Sequence, residues 1–144
     1  MTARPFIAGI FDRRAAGEPR GVSLSADGAG CSSYRDDRLS VVADARLDCP
    51  VELARQLGQP RDASPARLIA QAYRAWGGAF IDALEGDFAF AIHDAESARL
   101  VCARDRFGVR PLHFSSSGSR FAFASSIVML RGISDLGRSL RQQA

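Results

Sequence analysis

Apolar and polar positions change period along this chain, and the changes mark its elements. Phe6-Ile7-Ala8-Gly9-Ile10-Phe11 is an almost unbroken apolar run, which predicts a buried strand ending in the turn-forming stretch Asp12 to Pro19. Gly21 to Ala26 reads as a second strand by alternation, Asp27-Gly28-Ala29-Gly30 as a turn, and Leu39 to Ala45 as another strand. Pro50 to Leu57 predicts a short helix closed by Gly58 as a left-handed cap. The spacing then becomes helical. Ser64 sits where an N-cap belongs and Pro65 at the first helical position, where its missing N–H costs nothing. Leu68, Ile69, Ala72, Tyr73 and Trp76 fall on one stripe, which should face a sheet, and Gly77-Gly78 ends the helix. Ala79 to Leu84 adds a further helical turn.

The run from Leu84 to Phe114 is the most closely specified. Gly86 to Ile92 alternates small with bulky apolar residues, so one face of the strand can pack closely against a neighbouring layer. His93 to Ser97 is a polar turn, and Arg99 to Ala103 is a second apolar run that pairs with the first as a hairpin. In the following Arg104-Asp105-Arg106-Phe107-Gly108-Val109-Arg110-Pro111-Leu112, Gly108 permits a positive φ and Pro111 fixes an extended exit. Leu112-His113-Phe114 and Arg120 to Ala124 form another hairpin around Ser115 to Ser119, and Ser126 caps a final short helix through Leu130. There is no internal repeat and no low-complexity segment.

Composition narrows the function. With 144 residues, 47% hydrophobic and 24% charged, the chain can bury one substantial core, so residues 1–144 are expected to form a single domain. No apolar stretch approaches membrane-spanning length, and the start lacks the apolar segment of a signal peptide, which predicts a cytoplasmic protein with no membrane partner. The net charge is +3 and every one of the 19 basic residues is arginine. They are scattered among acidic residues, with no basic run longer than Arg13-Arg14, so codon bias explains them better than a nucleic-acid groove. Cys31, Cys49 and Cys102 are widely spaced and fit no metal pattern, and are expected as reduced, mostly buried thiols. His93 and His113 lack marked partners and read as surface or strand-edge residues.

The patterns L-E-G-D-F-A-F-A-I-x-D and A-R-D-R-F-G-V-R-P-L resemble the second half of the glutaminase domain of the glutamine-hydrolysing asparagine synthase family. The resemblance implies an α+β fold: a shortened N-terminal-nucleophile hydrolase-like αββα sandwich with two antiparallel sheets, joined to an ATP-using synthetase domain. It also implies that Gly86, Asp87, Phe88, Arg104, Asp105, Arg106, Gly108 and Pro111 belong to a retained structural motif, with Asp87, Asp105 and Arg106 fixing the loop by hydrogen bonds and ion pairing rather than taking part in catalysis. In that family an N-terminal cysteine hydrolyses glutamine, its own α-amino group acting as base.

That resemblance also locates what is missing. Ile7-Ala8-Gly9-Ile10 keeps the first strand, but Pro5 stands at the nucleophile position with Met1 to Arg4 in front of it. Thr2, exposed by removal of Met1, is the alternative nucleophile, but it lies about 10 Å of extended chain out of register. The family's Asn-Gly-Glu, which supplies oxyanion stabilisation and substrate contacts, is replaced by Ala43, Asp44 and Ala45; an acidic Asp44 opposes the charge that must be stabilised. The Ser-Asp that holds the substrate amine reads Ser64-Pro65, so the cap survives without the carboxylate. Arg38 is a weak stand-in for the arginine that grips the substrate carboxylate, because its contiguity with the Ala43 strand indicates a deletion.

No Ser-Gly-Gly-x-Asp-Ser type phosphate loop occurs between Gly118 and Ala144, so ATP and magnesium are expected only of a synthetase domain acting in cis or in trans. No metal or cofactor is expected in this chain. The combined losses most resemble the cysteine-less N-terminal part of lasso-peptide cyclases, amide ligases that need no ammonia. The expectation is therefore a catalytically silent scaffold, with peptide-biosynthesis partners. The alternatives are a glutamine-hydrolysing domain using Thr2 and a free-standing interaction module.

Overall fold

The computed structural model describes residues 4–13 and 19–133. Eight strands form two four-stranded sheets, every pairing antiparallel. One sheet has the order β2-β1-β8-β7, from β1 (Phe6–Arg13), β2 (Pro19–Asp27), β7 (His113–Ser117) and β8 (Arg120–Ala124). The other has the order β3-β4-β5-β6, from β3 (Cys31–Arg35), β4 (Leu39–Leu47), β5 (Gly86–Asp94) and β6 (Arg99–Arg104). Helices α1 (Pro50–Gln56) and α2 (Pro65–Trp76) and a 3-10 helix (Gly77–Ala83) lie between β4 and β5 in sequence. A last helix, α3, covers residues 127–133.

Burial follows the strand period. On β5, Phe88, Phe90 and Ile92 join α2 in the larger core, while Ala89 and Ala91 face the other sheet, where they meet Ile7, Val42 and Phe123. The alternation of alanine with bulky residues therefore sets the close approach of the sheets. Gly9 serves the same end: a Cβ there would lie 2.5 Å from the Phe123 ring. On α2, Leu68 and Ile69 are fully buried, each contributing about 2 kcal/mol of apolar burial. The outer face of the first sheet is covered by α3, with Leu130 against Ala8, Ala122 and Ala124. The layers run helix, sheet, sheet, helix, and the fourth is represented among the described residues by α3 alone.

The expected caps form. Ser64 Oγ accepts the Arg67 N–H at 3.2 Å with Pro65 beginning α2, and Ser126 Oγ accepts the Met129 N–H at 3.2 Å. Sequence periodicity missed β3, because Cys-Ser-Ser-Tyr-Arg is half-exposed edge chain whose pairing with β4 its polarity conceals. Ser115 to Ser117, expected in a turn, extend β7 through their pairing with β8. Part of the Asp12 to Pro19 turn, residues 14–18, lies outside the described residues.

Candidate functional site

The chain approaches β1 through Pro5, which packs on the turn between β2 and β3. Gly28 there has φ +96°, and a Cβ on it would lie 2.6 Å from Pro5 Cα, so only glycine lets the two backbones meet. The turn closes with the Cys31 N–H donating to the Gly28 carbonyl at 3.1 Å, and the Ala45 N–H donates to the Gly30 carbonyl at 3.1 Å. Cys31 and Asp44 are direct partners across β3 and β4, so their side chains share one face. Ala43 and Ala45 point instead into the helix-side core. Of the three residues at the expected oxyanion position, only Asp44 faces the space between the sheets. The N-terminus of α2 is held close by, since the Ala66 N–H donates to Ser32 Oγ at 3.0 Å. Pro5 and Asp44 thus flank the same β2–β3 turn, while Pro65 begins α2 on the helix side of β3.

Asp44 is 4% exposed, and its Oδ1 has no hydrogen-bond partner. The neighbouring Arg110 Nε lies 3.7 Å from that oxygen, beyond hydrogen-bond length, and is itself unpaired. Burial pushes the Asp44 carboxyl above its ordinary value, against the opposing pull of Arg110. The Cys31 thiol is also pushed up, first by burial and then by Asp44, so it stays protonated and is a poor nucleophile. Pro5 nitrogen is acylated by Arg4 and carries neither a proton nor a free lone pair for base catalysis. Among the described residues, the corner holds an acid, a guanidinium and a protonated thiol. Thr2 lies outside the described residues.

Arg38 is committed elsewhere. It lies before β4, six residues and about 20 Å from Asp44 along an extended strand. Its Nε and Nη2 donate to Asp94 at 3.1 and 2.9 Å, and it pairs with Glu96 at 3.1 Å. Tyr73 Oη donates to the same Asp94 carboxylate at 2.9 Å. The Arg38 guanidinium, outweighing burial, holds the Asp94 carboxyl far below the carboxylate range. Arg38 braces the β5–β6 turn.

The retained motif converges on Asp105, which is buried. Its carboxylate accepts the N–H groups of Phe88 at 3.2 Å, Phe107 at 3.1 Å, Val109 at 2.9 Å and Arg110 at 3.1 Å. Gly108, at φ +64°, closes the loop by donating to the Asp105 carbonyl. Burial alone would raise the Asp105 carboxyl, but these four donors hold it below its ordinary value. The loop also carries Arg110, so Asp105 fixes the cation that faces Asp44. Gly86, at φ +133°, lies where a Cβ would overlap the Arg46 carbonyl. Arg104 and Arg106 are exposed, Asp87 is half-buried opposite Arg46, and Pro111 is exposed at the loop exit, so the loop-fixing bonds belong to Asp105.

Two expectations need correction. His93 is a buried residue, not a surface one: it sits 5.9 Å from the Phe11 ring with Nε2 unpaired, and burial lowers its pKa. The thiols are free but not mostly buried, since Cys49 is exposed and Cys31 and Cys102 are half-buried. Among the described residues no three side chains are grouped to hold a metal ion, and no helix is long and apolar enough to cross a membrane. Cys31 and Arg110 were not foreseen at the site. The signal for Arg110 lay in the retained motif; that for Cys31 required seeing that β3 pairs with β4.

Two facing antiparallel sheets with helical outer layers define a fold of the N-terminal-nucleophile amidotransferase type. Phosphoribosylpyrophosphate amidotransferase from Bacillus subtilis, solved with ADP and GMP, superposes with a TM-score of 0.55 at 17% identity, covering 83% of this chain and 35% of that one. The model of the glutamine amidotransferase domain family matches residues 23–132, and the chain belongs to that family. It is 32% identical over 99 residues to asparagine synthetase [glutamine-hydrolyzing] 3 of Bacillus subtilis (strain 168), across 66% of this chain and 16% of the relative. It is 24% identical over 111 residues to a putative asparagine synthetase 2 of Methanocaldococcus jannaschii, across 73% of this chain and 22% of the relative. The chain thus spans about a fifth or less of the length of these curated relatives.

Proposed function

We propose that this chain is a glutaminase-like domain that has lost glutamine hydrolysis and serves as a scaffold for an ATP-dependent, asparagine-synthetase-like amide ligase. The observation that carries the reading is Pro5, clamped against Gly28 at the start of β1 where the family places its nucleophile. An N-terminal-nucleophile mechanism needs a side-chain nucleophile and a free α-amine on one residue, and an internal proline supplies neither. The surroundings agree. A buried Asp44 carboxylate raises the energy of a neighbouring oxyanion, and Ser64-Pro65 offers no carboxylate to hold a substrate ammonium.

A ligase whose acceptor amine belongs to its own substrate has no use for ammonia, so its glutamine site can decay while the packing motif persists. Macrolactam closure of a lasso peptide is the reaction of this kind that fits best: a synthetase domain activates a side-chain carboxylate with ATP and magnesium, and the peptide's amine displaces AMP. This chain contributes packing to such a reaction and no reacting group. Reconstitution of a partner synthetase with this chain, ATP, magnesium and a peptide bearing a free amine and a side-chain carboxylate should give the dehydrated peptide without glutamine. A strict requirement for glutamine would sink the reading.

A further inference from the structure

The sandwich is open along one side. There β6 ends one sheet and β7 the other, each with an edge that no strand among the described residues pairs. Between them run two adjoining cavities of about 430 and 580 Å³ that share Cys102 and Phe114. Their walls are apolar, with Leu100, Phe121, Phe123 and Leu130 prominent, and the rim is bare: Phe114 is 70% exposed and Ile127, on the adjoining α3, is 52% exposed. An apolar seam flanked by free strand edges is costly to leave in water.

We propose that this seam is the docking surface for the synthetase domain, which lays an apolar segment bordered by carboxylates between β6 and β7. The inference rests on the scaffold reading above and names the surface that reading needs. Charge argues for the occupant: Arg99 and Arg104 line the cavities, and no carboxylate is among their described lining residues, so a partner with acidic borders is complementary. Chain geometry argues the same way. Ile127 and Leu130 form one wall, so α3, the last described element, lies at the seam. The curated relatives have most of their length outside the matched stretch.

The test uses this chain and a purified asparagine-synthetase-type synthetase domain encoded in the same genome, with affinity measured by calorimetry. Phe114→Glu and Ile127→Glu change exposed rim residues, and Val51→Glu, on α1, is the control; urea unfolding verifies that all three are folded. Binding should weaken at least tenfold in the two rim variants and stay unchanged in Val51→Glu. In the complex, backbone N–H exchange along β6 and β7 should slow at least tenfold while that along α1 does not. Tight binding indifferent to both rim changes, with backbone N–H exchange along β6 and β7 unchanged, refutes the seam and leaves the scaffold reading standing. No binding by the folded wild-type chain counts against the scaffold reading, and the seam assignment falls with it. A homodimer that Phe114→Glu disperses shows the occupant to be a second copy and likewise overturns the proposal.

Discussion

Replacing Asp105 with alanine tests how much of the fold hangs on one carboxylate. Its four backbone donors are drawn from the start of β5 and from the loop after β6, so a single side chain ties the β5–β6 hairpin to the chain leading into β7. Hydrogen bonds to a charged acceptor are each worth roughly 1.5–3 kcal/mol, and four would sum to about 6–12 kcal/mol if they were additive. They are not, because all four share one side chain and the loop can open to hydrate its N–H groups. The Phe88 N–H has no such escape, being inside the sheet. A loss of about 3–5 kcal/mol is therefore expected, a large part of the roughly 5–15 kcal/mol that holds a domain together. Urea unfolding followed by Trp76 fluorescence measures it directly. Asp105→Asn should recover only a minor share, since its amide nitrogen must face one of the donors. A loss below about 1 kcal/mol in Asp105→Ala with an unchanged m-value would refute the reasoning.

Asp44→Asn should raise stability at neutral pH by about 1 kcal/mol, because it removes a buried charge whose ionic partner among the described residues, Arg110, lies beyond hydrogen-bond length; a loss of stability in the same urea assay would show the ion pair to be favourable. Acid should destabilise the domain in two stages. His93 has a lowered folded-state pKa, so its contribution is complete above about pH 6.5 and declines as pH falls below that, a limb that His93→Phe should abolish in pH-dependent melting. Asp94 and Asp105 have depressed folded-state values, so their contributions are present above the ordinary carboxylate range near pH 4 and are lost as pH falls through their folded values. Asp44 runs the other way: raised in the fold, it withdraws stability as pH rises from about 4 through its folded-state value, and Asp44→Asn should flatten that component.

The frame was legible where side-chain period and capping chemistry coincide. Ser64-Pro65 announced α2, and the alternation of Ala89 and Ala91 with Phe88 and Phe90 announced a strand between two packed layers. The Asp105 loop was legible as a specified loop, but equal weight on Asp87, Asp105 and Arg106 concealed that one buried acceptor gathers the donors. The corner at Pro5 was legible only in part. Pro5, Asp44 and Pro65 could be marked as departures from a family pattern, whereas Cys31 and Arg110 join Asp44 through pairings that no local pattern encodes. His93 was misjudged for the same reason: its burial comes from Phe11 on the opposite sheet, more than eighty residues away in sequence.

On the function proposed above, this frame surrounds a silent site. Incubation of the purified chain with glutamine labelled with ¹⁵N at the side-chain amide, followed by NMR detection of labelled ammonium, tests it most directly. The account predicts no release above the protein-free blank, from the wild-type chain and from Thr2→Ala alike. Ammonium release by the wild-type chain that disappears in Thr2→Ala would contradict it.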